Sequence, residues 1–124
     1  DATNIHYHGQ LSFQEYLETM HRIPFLLSTR NPLAPENECN FPSKIVESLL
    51  HNRIIISTIH YPQLDGINYW EVSTDVDAFV KNISSISQLP LSELSCYANQ
   101  SEKVKELFST QRWKEAIERI EAAE

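Results

Sequence analysis

The chain has 124 residues, a net charge of −7, 41% hydrophobic and 22% charged residues, which suits one soluble globular domain spanning residues 1–124. Its basic residues are scattered, so the concentrated basic stripe of a nucleic-acid surface is missing. Only two glycines occur, Gly9 and Gly66, where average usage would give about nine. That excludes both the G-x-G-x-x-G fingerprint and the Walker A loop for this stretch of chain.

No apolar run is long enough for a membrane span or a signal-peptide core. Cys39 and Cys96 form no CxxC and no disulfide framework, and they read as reduced thiols of a cytoplasmic protein. The Asn-x-Ser matches at Asn82 and Asn99 do not imply secretion, because such short patterns recur by chance. The first residue is Asp, not Met, and the chain reads as a fragment of a longer protein.

Asn4 to His8 alternates apolar and polar residues and stops at Gly9, which predicts a first strand and a turn. Ser12 and Glu15 make a capping box that opens a helix of about ten residues carrying Phe13, Tyr16, Leu17 and Met20. Residues 23–28, "IPFLLS", read as a buried strand with Pro24 at its start, where a missing donor is tolerated. The next twelve residues, "TRNPLAPENECN", lack periodicity, and loops of this length tend to be functional.

Pro42 then suits the first position of a helix whose apolar stripe is Phe41, Ile45, Val46, Leu49 and Leu50. Asn52 can close it in a left-handed cap. Residues 53–58 contain three consecutive isoleucines, the mark of a parallel strand buried on both faces. After the loop "IHYPQLDG", residues 67–72 predict a further strand, and Thr74 with Asp77 a second capping box opening a helix over Val76, Phe79, Val80 and Ile83. Beyond Pro90 the chain reads as helix, from Leu91 to about Phe108 and from Gln111 to about Glu121. The order β-α-β-α-β-β-α-α-α predicts an α/β fold: a Rossmann-like, mostly parallel sheet with helices on both faces and a helical C-terminal tail. Ligands of such sheets sit at the carboxyl ends of the strands, here Gly9 to Ser12, Thr29 to Asn40 and Thr58 to Gly66.

The start of the helix at Pro42 offers free N–H groups at Ser43 and Lys44, a hydroxyl, a point charge and the positive end of the helix dipole. An anion site there competes with a plainer account, in which Lys44 and Glu47 form a solvated pair one turn apart. His6 and His8 form an H-x-H pair on one face of the predicted first strand, but no third metal ligand at a fixed spacing accompanies them. Cys39 has no histidine placed to activate it as a nucleophile.

In order, "NIHYHGQLSFQEYLETMHRIPFLLST", "NFPSKIVESLLHNRIIIST", "STDVDAFVKNI" and "FSTQRWKEAIERI" resemble segments of the retaining, two-domain GT-B glycosyltransferases of group 1. The resemblance covers nearly the whole chain. Its most specific block runs from the FPSK tetrad to Glu47. It implies the C-terminal, nucleotide-sugar donor-binding domain of an enzyme that moves a sugar to a glycan or lipid-linked acceptor. By the resemblance, Pro42, Ser43 and Lys44 meet the diphosphate, Glu47 the ribose, and Gly9, Gln10 and Leu11 the base. The donor sugar faces Thr29 to Asn40.

The position eight before Glu47, where the family's first glutamate stands, is Cys39, with Glu38 adjacent. The resemblance also implies no metal or other cofactor, an acceptor domain N-terminal to this chain, and peripheral membrane association of the full-length enzyme. The competing reading is a non-catalytic, receiver-like or adaptor α/β domain that binds a protein partner. A receiver needs an acidic cluster after its first strand, and "HYHG" has none. A partner-binding module would leave Trp113 and Ile117 exposed, whereas the enzyme reading covers them.

Overall fold

The computed structural model describes residues 5–35 and 43–122. Three parallel strands form its sheet: β1 (Phe25–Ser28), β2 (Ile54–Ser57) and β3 (Trp70–Glu71), in the order β1-β2-β3. Helix α1 (Phe13–Arg22) precedes β1, and α2 (Ser43–Leu50) joins β1 to β2. After β3 come α3 (Val76–Ser87), α4 (Leu91–Leu94), α5 (Ser101–Leu107) and α6 (Thr110–Ala122). The parallel α/β architecture expected from the alternation is present.

All four residues of β2 are buried, as its isoleucine run requires. Leu26 pairs with Ile55 in register, and both join the main core with Ile45, Leu49 and Val104. Helices α2 and α5 supply those last three and close that face of the sheet. Pro24 donates nothing to the ladder, yet its carbonyl accepts from the N–H of Ile54 at 2.8 Å, so β1 begins one residue later.

Helix α2 ends as its sequence predicts. Asn52 is left-handed with φ 60°. The N–H of Arg53 bonds the carbonyl of Ser48 at 2.9 Å and that of Asn52 bonds Leu49 at 3.0 Å, a Schellman motif. Helix α1 opens on Ser12, whose Oγ accepts from the N–H of Glu15.

Four sequence expectations need correction. Residues 5–8 form no strand, and Ile5 and Tyr7 stand 74% and 96% exposed. Two alternating apolar side chains cannot hold an extended segment without a partner strand to take its backbone groups. The third strand is shorter than residues 67–72. The buried carboxamide of Gln100 accepts from the N–H of Asn68 at 2.6 Å and donates to its carbonyl at 2.7 Å, so the backbone groups at that position bond a side chain. The same reach interrupts the helix expected over residues 91–108, which becomes α4, a 3-10 turn at Ser95–Tyr97, and α5. Finally, α3 is capped by Asp75, whose Oδ2 accepts from the N–H of Ala78, and not by Thr74.

The link from β2 to β3 carries only a 3-10 turn at Pro62–Leu64, yet Ile59, Tyr61, Leu64 and Ile67 all bury into the core. Helix α6 buries none of its residues.

Replacing Gln100 with Ala should cost about 2–4 kcal/mol in chemical denaturation, because both backbone groups of Asn68 lose their partner. Asn52→Val should cost about 1–2 kcal/mol through its left-handed backbone, and Asn52→Gly should be close to neutral.

Candidate functional site

Strands β1 and β2 both point their carboxyl ends at one edge of the sheet, and two adjoining cavities open there. One, of about 350 Å³, is lined by Thr29, Arg30, Asn31, Thr58, Thr74, Val76 and Phe79. The other, of about 300 Å³, lies between the end of β1 and the start of α2 and is lined by Leu26 to Arg30, Lys44 and Ile45. Thr29 and Arg30 belong to both. The loop after β1 is held in place by Thr58, whose Oγ1 donates to the carbonyl of Arg30 at 2.5 Å and whose N–H donates to that of Ser28 at 3.0 Å. Asn31 folds the next turn by accepting the N–H of Leu33 on its Oδ1.

The second cavity brings two cationic side chains together. Among the described residues Arg30 and Lys44 line it and no carboxylate does, and the first turn of α2 carries no acidic residue to offset the positive end of its dipole. Lys44 leans over the ring of Tyr16, its Nζ 5.7 Å from the centroid. The Tyr16 phenol oxygen is buried, with no hydrogen-bond partner among the described residues. Burial raises the pKa of that phenol, and the carboxylate of Glu47 raises it further. The ammonium of Lys44 and the charge of Glu47 therefore both act on Tyr16 of α1.

Contacts along the helices run Tyr16 to Lys44, Met20 Sδ to Ser48 Oγ at 3.7 Å, and His21 to His51. The ascending order shows that α1 and α2 run in the same direction, which brings their N-terminal ends to one side. Of the sequence-predicted site, Lys44 lines the cavity, Glu47 stands half-buried beside Tyr16, and Ser43 is exposed at the head of α2. Gly9, Gln10 and Leu11 immediately precede the cap of α1 and line neither cavity; Gly9 takes φ 68°, as its turn demands. Pro42 and Glu38 lie outside the described residues, as do Cys39 and Phe41.

Sequence reasoning missed a second cluster. His60 Nδ1 lies 2.5 Å from Glu71 Oε1, and the Tyr69 hydroxyl is 3.3 Å from that nitrogen and 3.4 Å from that oxygen. The N–H of Tyr61 donates to the Tyr69 oxygen at 2.8 Å. The cluster borders a cavity of about 520 Å³ that Asp65, Asn68 and Tyr97 also line. The one signal in the sequence was Tyr69 and Glu71 at alternate positions, on one face of a strand. Burial raises the pKa of Tyr69 most, the Tyr61 N–H opposes it, and Glu71 adds to it.

His6 and His8 are exposed on an irregular segment, and among the described residues no three His, Cys, Asp or Glu side chains converge as a metal site. No helix among the described residues is long and apolar enough to cross a membrane. Trp113, Ile117 and Ile120 form an exposed stripe on α6 at 67%, 52% and 63%. Searched against protein families, curated proteins and solved structures, the chain matches none of them.

Because the fold holds the Tyr69 proton more tightly than the unfolded chain does, its contribution to stability is complete below about pH 10 and falls as pH rises further. Spectrophotometric titration should resolve a late-ionising group of tyrosines that loses one member in Tyr69→Phe.

Proposed function

We propose that this chain is the donor-binding domain of a glycosyltransferase that moves a sugar from a nucleotide diphospho-sugar to a glycan or lipid-linked acceptor. The observation that carries the reading is the convergence of Arg30 and Lys44 on one cavity at the carboxyl edge of a parallel sheet, beside the head of α2. A diphosphate needs cations and free backbone N–H groups, and a chain with two glycines has no glycine-rich loop to supply them.

In this reading Lys44 and Arg30 neutralise the diphosphate, and Ser43 adds its N–H and hydroxyl. Charge building on the leaving phosphate is stabilised by these groups and the helix dipole. Glu47 accepts hydrogen bonds from the donor ribose, with Tyr16 packed behind it. Thr29, Asn31, Thr58 and Thr74 offer polar groups to the sugar in the adjoining cavity. Gly9 to Leu11, at the head of α1, approach the base. The domain is Rossmann-like, acts in the cytoplasm and works with an N-terminal acceptor domain of the same chain, which completes the catalytic site.

A second reading has its own observation. The stripe of Trp113, Ile117 and Ile120 is exposed, as a module binding a protein partner would present it. In the enzyme reading the acceptor domain covers that stripe.

The test is a titration of the chain with UDP and with GDP, followed by amide chemical shifts. Shifts are expected at Ser43, Lys44 and Arg30. Lys44→Ala should weaken binding about tenfold or more, as loss of one charged hydrogen-bond donor implies. Glu47→Ala should lower affinity while leaving the thermal midpoint nearly unchanged. Absence of shifts at millimolar nucleotide would remove the donor-site reading and leave the partner-binding one.

A further inference from the structure

The C-terminal ends of α1 and α2 meet at two histidines. His21 lies in the last turn of α1, and His51 directly follows α2. Their ring nitrogens, Nε2 of His21 and Nδ1 of His51, stand 3.0 Å apart, with the ring planes tilted by 59°. The backbone under both rings is fixed. Arg53 donates from Nε to the carbonyl of His51 at 3.0 Å, and from Nη1 to the carbonyls of His21 at 3.1 Å and Ile23 at 3.4 Å. One guanidinium thus ties the two helix ends together, and the Schellman motif holds the His51 side of the joint.

A four-coordinate transition-metal ion binds imidazole nitrogen at about 2.0–2.1 Å. Two such nitrogens are then about 2.9 Å apart in a square-planar arrangement and about 3.3 Å apart in a tetrahedral one, by geometry from that bond length. The observed 3.0 Å falls between these values. Both rings also sit at the negative ends of helix dipoles, which favours a cation. The Arg53 charge opposes that effect, but three backbone carbonyls already engage it.

We propose that His21 Nε2 and His51 Nδ1 form a two-imidazole site for a divalent transition-metal ion, with water in the remaining positions. Copper(II) is favoured over zinc by the ordinary order of nitrogen-site affinities and by the narrow bite. Without metal the two nitrogens share one proton in an N–H···N hydrogen bond. On binding, each gives its lone pair to the ion, and the shared proton moves to the second nitrogen of the ring that carried it. No electron is transferred. The ion bridges α1 to α2 at the end away from the anion-binding cavity, so this site does not depend on the glycosyltransferase reading.

The test uses the full chain with His6→Ala and His8→Ala introduced, which removes the other close histidine pair. Calorimetric titration with copper(II) chloride should give one ion per chain. Adding His21→Ala or His51→Ala should weaken it at least tenfold, and the ion should raise the thermal midpoint only when both histidines are present. A parallel zinc titration of the unsubstituted chain, read from the imidazole nitrogen resonances, needs no folding-competent variant. It should metallate Nε2 of His21 and Nδ1 of His51. Binding that survives loss of either histidine, or zinc shifts confined to His6, His8 or His60, would overturn the proposal.

Discussion

Strand β2 has no face that can meet water. Its three isoleucines and Ser57 are buried, so it needs a strand on each side and a cover above and below. Most of the fold follows from that need. Helix α2 must return antiparallel to β1 to place β2 beside it in parallel, and Ile45 and Leu49 then fall on Ile55. Helix α5 completes the same cover with the fully buried Val104. Ser57, the polar end of the strand, satisfies its hydroxyl locally by donating to the carbonyl of Ile59 and accepting that residue's N–H.

The same geometry gathers two cationic side chains at one edge. A parallel sheet sends the loops that follow β1 and β2 to one side, along with the start of the helix between them. Arg30 follows β1 and Lys44 opens α2, so two cations far apart in sequence share one cavity in a chain of strongly negative net charge. Tyr16 of α1 supports Lys44 and Glu47 from behind. The opposite ends of α1 and α2 are joined by Arg53 and the two histidines. The pair of helices is therefore joined by Arg53 and the histidines at one end and by Lys44 over Tyr16 at the other.

Much of this was legible along the chain because it depends on local chemistry. Ser12 as a cap, Asn52 as a left-handed stop and the isoleucine run as a doubly buried strand act through near neighbours or through simple periodicity. Lys44 as a cavity cation followed from its place in the first turn of a helix at the carboxyl edge. Two of the misses share one cause: a distant side chain took over the backbone. Gln100 binds Asn68 across 32 residues, shortening β3 and breaking the helix at residues 98–100. No periodicity in either segment encodes that bond. Residues 5–8 have the alternation of a strand, but among the described residues no neighbouring strand takes their backbone groups.

The sequence by itself determined the α/β class, the parallel pairing of the isoleucine strand and the polar head of α2, since each follows from residue type and spacing. Only the tertiary structure decided that Arg30 joins Lys44, that His60 meets Glu71, and that His21 faces His51. Those pairs lie 11 to 30 residues apart, or on separate elements in the case of Arg30 and Lys44. Their distances are set by how strands and helices pack, a property that no short window of sequence contains.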